Sequence, residues 1–163
     1  MRFMFPGDRD RVRRLPRLFS LLYNSDAGNP RLVSPDIMAV TLWLPPGAAR
    51  NDRHFGWRDR LRALWVFGSA LPRAKTLGAT IEAHFPPKPF WYLHIAGCAR
   101  AAQGRGLGAA AVRAGLARAT DAPVYLETAN EANLGFYRSM GFEVTQHWRV
   151  SDGPPFWSMM RPV

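Results

Sequence analysis

Three glycines stand at alternate positions in the segment WYLHIAGCARAAQGRGLGAAAV, residues 91–112. Gly104, Gly106 and Gly108 lie between an apolar run typical of a strand and an alanine-rich run typical of a helix. Glycine costs backbone entropy there, so its repetition indicates positive φ angles or the close approach of another group to the main chain. The start of a helix favours an anion as that group.

The glycine bend has three explanations. It can be a turn that lets a helix pack closely on a strand. It can be a dinucleotide-binding fingerprint, since Gly104, Gly106 and Ala109 fit Gly-x-Gly-x-x-Gly/Ala and Glu127 follows about twenty residues later. Against this, CARAAQ separates the strand from the first glycine, and the rest of the chain is too short for a long βαβ alternation. Finally, QGRGLG can be a pyrophosphate cradle whose amides meet an anion at the positive end of a helix dipole.

Two motifs carry a resemblance to a known family. Residues 103–108, QGRGLG, match the Gln/Arg-x-x-Gly-x-Gly/Ala signature of the GNAT-type N-acetyltransferases, and residues 133–142, NLGFYRSMGF, resemble the family's Asn-x-x-x-Tyr helix followed by Gly-Phe. LWLPPG, FWYLHIAG, VYLETANEANLGFYRSMGFEV and DGPPFWSMMRP are similar to the subgroup that contains puromycin N-acetyltransferase. In two places the chain departs from the family, with Arg100 in place of Pro and Cys98 in place of Val.

The resemblance implies that acetyl-CoA is the acetyl donor, with its pyrophosphate in the bend. In this family the strand before the bend splays from its neighbour, and its free main-chain groups pair with the pantetheine arm. Arg100, Arg105 and Arg113 are further candidates for phosphate contacts. The cofactor-binding residues that the resemblance implies are Ala96, Gly97, Cys98, Gln103, Gly104, Arg105, Gly106, Leu107, Gly108, Asn133 and Tyr137.

Tyr137 is the predicted general acid. Attack of an amine on a thioester expels a thiolate, and a phenol beside the sulfur can protonate it. Asn133 is expected to cap the short helix that carries Tyr137, and Gly141 to end it in the left-handed conformation. For the general base, which must take a proton from the ammonium substrate, Glu127 is the first candidate and His94 the second.

Two more residues of the expected acceptor region, Glu82 and His84, remain open as bases. Cys98 lacks an evident histidine partner, which argues against a covalent acetyl intermediate. The predicted function is therefore direct acetyl transfer to a primary amine of a small molecule, within a ternary complex. The alternatives are a non-catalytic acyl-CoA binding module and a basic nucleic-acid-binding protein.

Length and composition predict one globular domain, residues 1–163, with 47% hydrophobic and 21% charged residues. No apolar run approaches the roughly 18 residues of a membrane span, and no secretory signal is recognisable, so we expect a cytoplasmic protein without membrane contact. A single cysteine and the lack of zinc-ligand spacing predict no metal. The net charge of +10 comes from dispersed arginines, so no nucleic-acid partner is expected.

The apolar periodicity predicts helices and strands that alternate irregularly. Helices are expected at about 8–23, with Pro16 kinking or restarting the first, at 57–71, around 77–85, at 104–119 and at 133–140. Strands are expected in DIMAVTLWL, FWYLHIAG, PVYLET, FEVTQHWRV and FWSMMRPV. Together they predict a mixed α/β or α+β sheet with parallel and antiparallel pairs. We also expect the family's first strand to be missing, which leaves an open sheet edge at residues 36–43 that another copy of the protein, in a homodimer, or the amino-terminal segment covers.

Overall fold

The computed structural model describes residues 2–25, 27–50 and 57–163, and the side chains of these except for 57–60. These residues group into two compact units. The first unit draws on segments 1–27, 51–85 and 150–154, and the second on segments 28–50, 86–149 and 155–163. The expected single domain stays a prediction. No helix of the described chain is long and apolar enough to cross a membrane.

The second unit contains one six-stranded mixed sheet. Its strands are β1 (Arg31–Val33), β2 (Ala39–Leu44), β3 (Trp91–Cys98), β4 (Val124–Thr128), β5 (Glu143–Arg149) and β6 (Pro155–Arg161), in the spatial order β1-β2-β3-β4-β6-β5. The β3/β4 pair is parallel and the other pairs are antiparallel. The predicted mixed α/β architecture, with a β5/β6 hairpin, is confirmed.

Helices α4 (Leu107–Leu116) and α5 (Leu134–Arg138) belong to the same unit as the sheet. Their apolar side chains join those of the sheet in one core, because alternate strand residues and every third or fourth helix residue face it. Its buried members include Trp43, Leu93, Val112, Leu126, Leu134, Tyr137, Phe142 and Met159. The approach of α4 to β2 is so close that a Cβ added to Gly115 would lie 2.1 Å from the Trp43 ring.

The first unit is helical, with α1 (Asp8–Ser25), α2 (Trp57–Phe67) and α3 (Leu71–Ala83). Its core contains Met4, Phe5, Leu18, Val66 and Ala70. The expectation that α1 restarts at Pro16 is wrong, since the helix runs through the proline. Proline removes one main-chain hydrogen bond, while packing of the apolar face of α1 on this core supports the rest of the helix.

Two further sequence expectations need correction. The helix predicted at 104–119 spans only Leu107–Leu116, because Gly104 and Gly106 have positive φ angles that an α-helix cannot contain. Residues 36–43 are not an open edge, because the three-residue strand β1 pairs with β2 along Val40–Leu42. The sequence missed β1, which is too short for its side-chain alternation to be recognised. The expected homodimer stays a prediction.

Candidate active site

The sheet opens between β3 and β4. The two strands pair only where Trp91 faces Val124 and Tyr92 faces Tyr125. Beyond these pairs the strands separate, although β3 continues to Cys98. Beyond the Tyr92–Tyr125 pair the described residues of β4 no longer pair with β3, and another extended chain can hydrogen-bond to the main-chain groups of β3 that face this opening.

A β-bulge lies where the two strands separate. On the opposite side of β3, Leu42 faces Ile95 but the next residue, Trp43, faces Leu93, so β3 has one extra residue at this point, His94. A bulge bends its strand and increases the local twist. The position of this bulge, directly after the last β3/β4 pair, accounts for the divergence of β3 from β4.

The glycine bend lies at the end of β3 and leads into α4. Gly104 and Gly106 have φ angles of 78° and 79°, in the left-handed region that favours glycine. A Cβ added at either position would find no atom of a described residue within 4 Å. The bend is therefore open towards a ligand. Gly106 precedes the first turn of α4, where the amides of Leu107, Gly108 and Ala109 have no acceptor within the helix.

A cleft of about 480 Å³ joins the open edge of β3 to the bend. Nine of the residues predicted to bind a cofactor or act in catalysis line it: Ala96, Gly97, Cys98, Gln103, Gly104, Gly106, Gly108, Asn133 and Tyr137. Thr41, Ala102, Ala109, Val112 and Phe136 also line it. The sequence did not predict these five as cofactor-binding or catalytic residues, although Ala109 belongs to the dinucleotide fingerprint considered for the bend.

Several predicted residues lie outside the cleft lining. Leu107 is not part of it, and the Arg105 amide donates within the bend to the carbonyl oxygen of Ala102 at 3.4 Å. The side chains of Arg100, Arg105 and Arg113 are exposed, and none of them lines the cleft. Their predicted phosphate contacts stay predictions, as do the roles of Glu82 and His84, which belong to the first unit.

Tyr137 is held rigidly on α5. Its side chain is only 8% exposed and packs in the core of the sheet unit, yet it lines the cleft. Burial raises the pKa of the phenol, and the nearby carboxylate of Glu127 raises it further. The phenol is therefore protonated at neutral pH, as a proton donor must be.

The predicted cap of the short helix is wrong. Asn133 already has helical dihedral angles, so its side chain does not cap α5. Instead Asn130 accepts a hydrogen bond from the Ala132 amide at 3.3 Å. Asn133 donates from Nδ2 to Thr128 Oγ1 at 3.2 Å, which fixes it in the cleft wall. The expectation for Gly141 is confirmed, since its φ of 86° follows the end of α5.

Glu127 lies on β4 beside the opening. Its Oε1 accepts a hydrogen bond from the Tyr92 hydroxyl, while its Oε2 is buried without a hydrogen-bond partner among the described residues. Burial raises the pKa of Glu127 to about 7, although the Tyr92 hydrogen bond and the charge of nearby His94 oppose the rise. Both sequence-predicted bases are thus close to one another. Neither lines the cleft itself, but Glu127 and Tyr137 interact electrostatically.

The sequence profile of the acetyltransferase (GNAT) family matches residues 40–142, more than half of the chain. The chain belongs to the GNAT acetyltransferase family. The matched segment contains the bulged strand, the glycine bend and the tyrosine helix described above. The family resemblance that the two sequence motifs indicated is therefore confirmed.

Solved structures of acetyltransferases share the fold of this GNAT protein. One of them is a Corynebacterium glutamicum protein described as "histone acetyltransferase HPA2 and related acetyltransferase". It matches with a TM-score of 0.68 and 24% identity, and the match covers 99% of this chain and 86% of that protein. The Escherichia coli ribosomal-protein-S18-alanine N-acetyltransferase has a TM-score of 0.53 and 15% identity, over 91% and 87%. Arylalkylamine N-acetyltransferase 2 from Aedes aegypti has a TM-score of 0.52 and 12% identity, over 87% and 74%.

Proposed function

We propose that this chain transfers the acetyl group of acetyl-CoA to a primary amine of a small molecule by direct attack in a ternary complex. The observation that carries the proposal is the opening of the sheet between β3 and β4 directly beside the glycine bend. The thioester of acetyl-CoA lies at the end of the extended pantetheine arm. Such a ligand needs a channel in which the arm can pair with the main chain of a strand while the acetyl carbon reaches the end of the channel away from the glycine bend.

The main chain of the cleft suits the donor. Ala96, Gly97 and Cys98 offer the unpaired edge of β3 to the amides of the pantetheine arm. Gly104 and Gly106 leave room for the pyrophosphate, and the first-turn amides of α4 point to the same place. When bound, acetyl-CoA supplies an activated acetyl carbon. The binding chemistry required of the protein is mainly that of N–H donors and open space, which the bend provides.

Proton transfers at the site require an acid and a base. The amine nitrogen forms a bond to the acetyl carbon as the carbon–sulfur bond breaks. Tyr137 gives its phenolic proton to the departing thiolate, and Glu127 accepts the proton that the amine loses, directly or through water. Solvent then restores both groups. The pKa of Glu127, raised to about 7, suits a base that works near neutral pH. His94 is the second candidate for this role.

The proposed acetyl acceptor is a small-molecule amine. The proposal includes no nucleic-acid or membrane partner. A protein with a net charge of +10 repels polycationic acceptors unless its cleft is locally acidic. Fold neighbours include acetyltransferases named for agmatine and for arylalkylamines. The resemblance to the puromycin N-acetyltransferase subgroup adds nucleoside antibiotics to the amines worth testing.

The test compares two glycines of equal backbone conformation. Gly106→Asp places a carboxylate where the pyrophosphate would lie, whereas Gly47→Asp introduces the same residue at a φ of 85°, also with no atom within 4 Å, outside the cleft lining. We expect calorimetric CoA affinity to collapse in the first variant and to persist in the second. Equal affinities in wild type and Gly106→Asp would contradict the proposed donor site.

Thiol release with acetyl-CoA and a panel of amines tests the transfer itself. Release that depends on an amine supports the enzyme. Tight CoA binding by the wild-type protein without release for any amine would instead identify a non-catalytic acyl-CoA binding module.

A further inference from the structure

We infer that Tyr92 is a positioning residue, whose hydroxyl holds Oε1 of Glu127 so that Oε2 is the oxygen that receives the proton of the acceptor amine. This inference rests on the proposed function, because it refines the role of the proposed base. It assigns a task to a residue that the family motifs leave out.

The strand register brings the two residues together. Tyr92 pairs with Tyr125 in the last β3/β4 pair, and Glu127 lies two residues further along β4. Residues two apart on a strand share a face, and a diagonal neighbour on the next strand is within reach of a long aromatic side chain. Tyr92 thus reaches the carboxylate that stands at the start of the opening.

The phenol of Tyr92 is fixed by its surroundings. Its side chain is buried, and its ring lies 6.3 Å from the ring of Phe90, 5.8 Å from that of Tyr125 and 5.2 Å from that of His94. A ring packed in this way has little rotational freedom, so its hydroxyl presents the donor in one direction. The hydrogen bond to Oε1 then fixes the plane of the Glu127 carboxylate.

The second carboxylate oxygen of Glu127, Oε2, is the one available to accept a proton. Oε2 is buried and accepts no hydrogen bond from a described residue. A buried acceptor without a partner costs free energy, and a bound amine or a water held by it would remove that cost. An anchored Oε1 and an unpartnered Oε2 are what a carboxylate needs to accept a proton in a defined direction.

Groups from four elements face Glu127. From β3 these are Tyr92 and His94, from its own strand Tyr125, from α5 Tyr137, and from β6 its cross-strand partner Ser158. Tyr92 is the one that donates to the carboxylate. A hydrogen bond to a carboxylate stabilises its charged form. Loss of the Tyr92 hydrogen bond should therefore raise the pKa of Glu127 by about one to two pH units.

Tyr92→Phe tests the inference without relying on turnover. The chain has only four glutamates, and three of them, Glu82, Glu131 and Glu143, are exposed, so a titration of ¹³C-labelled glutamate carboxyls by NMR isolates Glu127. We expect its midpoint to rise in Tyr92→Phe. The matched control is Tyr125→Phe, which removes a hydroxyl bonded to Ser158 from the same ring cluster and should leave the Glu127 midpoint unchanged.

Kinetics test the positioning role. In Tyr92→Phe the acid limb of kcat/KM should move to higher pH together with the NMR midpoint, and in a Glu127→Gln background the same substitution should have no further effect on kcat. An unshifted midpoint would overturn the inference whatever the activity, and so would equal shifts in both tyrosine variants. A shifted midpoint in a protein that acetylates no amine would support the coupling and refute the proposed function instead.

If Tyr92→Phe fails to fold, 3-fluorotyrosine at position 92 replaces it. The fluorinated ring keeps the packing, and its more acidic phenol is a stronger donor. The Glu127 midpoint should then fall below that of the wild-type protein. A midpoint that stays the same or rises would overturn the inference.

Discussion

Gly115→Ala tests whether the closeness of α4 to β2 is essential. A Cβ at position 115 would lie 2.1 Å from Cε2 and Cζ2 of Trp43 and 2.5 Å from its Nε1. Trp43 is only 1% exposed and cannot move into solvent. Its Nε1 also donates to Thr41 Oγ1 at 2.9 Å, so a shift of the indole would strain or break that hydrogen bond.

The expected loss of stability follows from these contacts. Overpacking of a tight core costs about 1–3 kcal/mol, and the loss of the Trp43 hydrogen bond adds about 1 kcal/mol. Replacement of a helical glycine by alanine gains back about 0.5–1 kcal/mol. Gly115→Ala should therefore lower the free energy of unfolding by about 1–3.5 kcal/mol. With a urea m-value of about 2 kcal/mol/M, the urea midpoint should fall by about 0.5–1.8 M.

Gly78→Ala is the matched control for this measurement. Gly78 lies within α3, and a Cβ there would find no atom within 4 Å, so only the helix-propensity gain remains. Its urea midpoint should equal or slightly exceed that of the wild-type protein. If Gly115→Ala behaves like Gly78→Ala at an unchanged m-value, then α4 and β2 are not packed as tightly as described.

Two further predictions concern the proposed acid and base. Tyr137→Phe keeps the ring in the core and deletes the hydroxyl, so turnover should fall by about 10²- to 10⁴-fold while CoA affinity changes little; near wild-type turnover would exclude the acid role. Because burial raises the folded-state pKa of Glu127 from 4.5 to about 7, its contribution to stability is full below pH 4.5 and is lost as pH rises to about 7. Glu127→Gln should therefore match the wild-type free energy of unfolding near pH 4 and exceed it near pH 8 by up to about 3 kcal/mol, and the reverse order would refute this pKa assignment.

The sequence predicted most of the sheet because its strands are long, apolar and bounded by glycine and proline. β3 and β4 were recognised from FWYLHIAG and PVYLET, and both motifs of the cleft were found through local spacing. The acid and base candidates followed from residue type and motif position. Periodicity is a local signal, so it succeeds where a structure repeats within a few residues.

Other features depend on contacts that are distant in sequence. Tyr92 gives no sign of its role in an apolar strand, because its partner Glu127 lies 35 residues away. The Asn130 cap replaced the predicted Asn133 cap because a 3₁₀ turn, Glu131–Asn133, precedes α5. Pro16 was expected to kink or restart α1, and the helix does not restart there because packing on its core supports the turns on both sides.

The separation of β3 from β4 depends on β3 having one residue more than β2 across the bulge at His94. Substitutions along β3 leave its length intact, so the main-chain edge at Ala96–Cys98 survives them. Deletion of His94 would restore regular pairing with β2 and remove the bend that carries β3 away from β4. The opening of the sheet therefore depends on the number of residues in β3 more than on their types, and the fold is shared at a TM-score of 0.68 with only 24% identity.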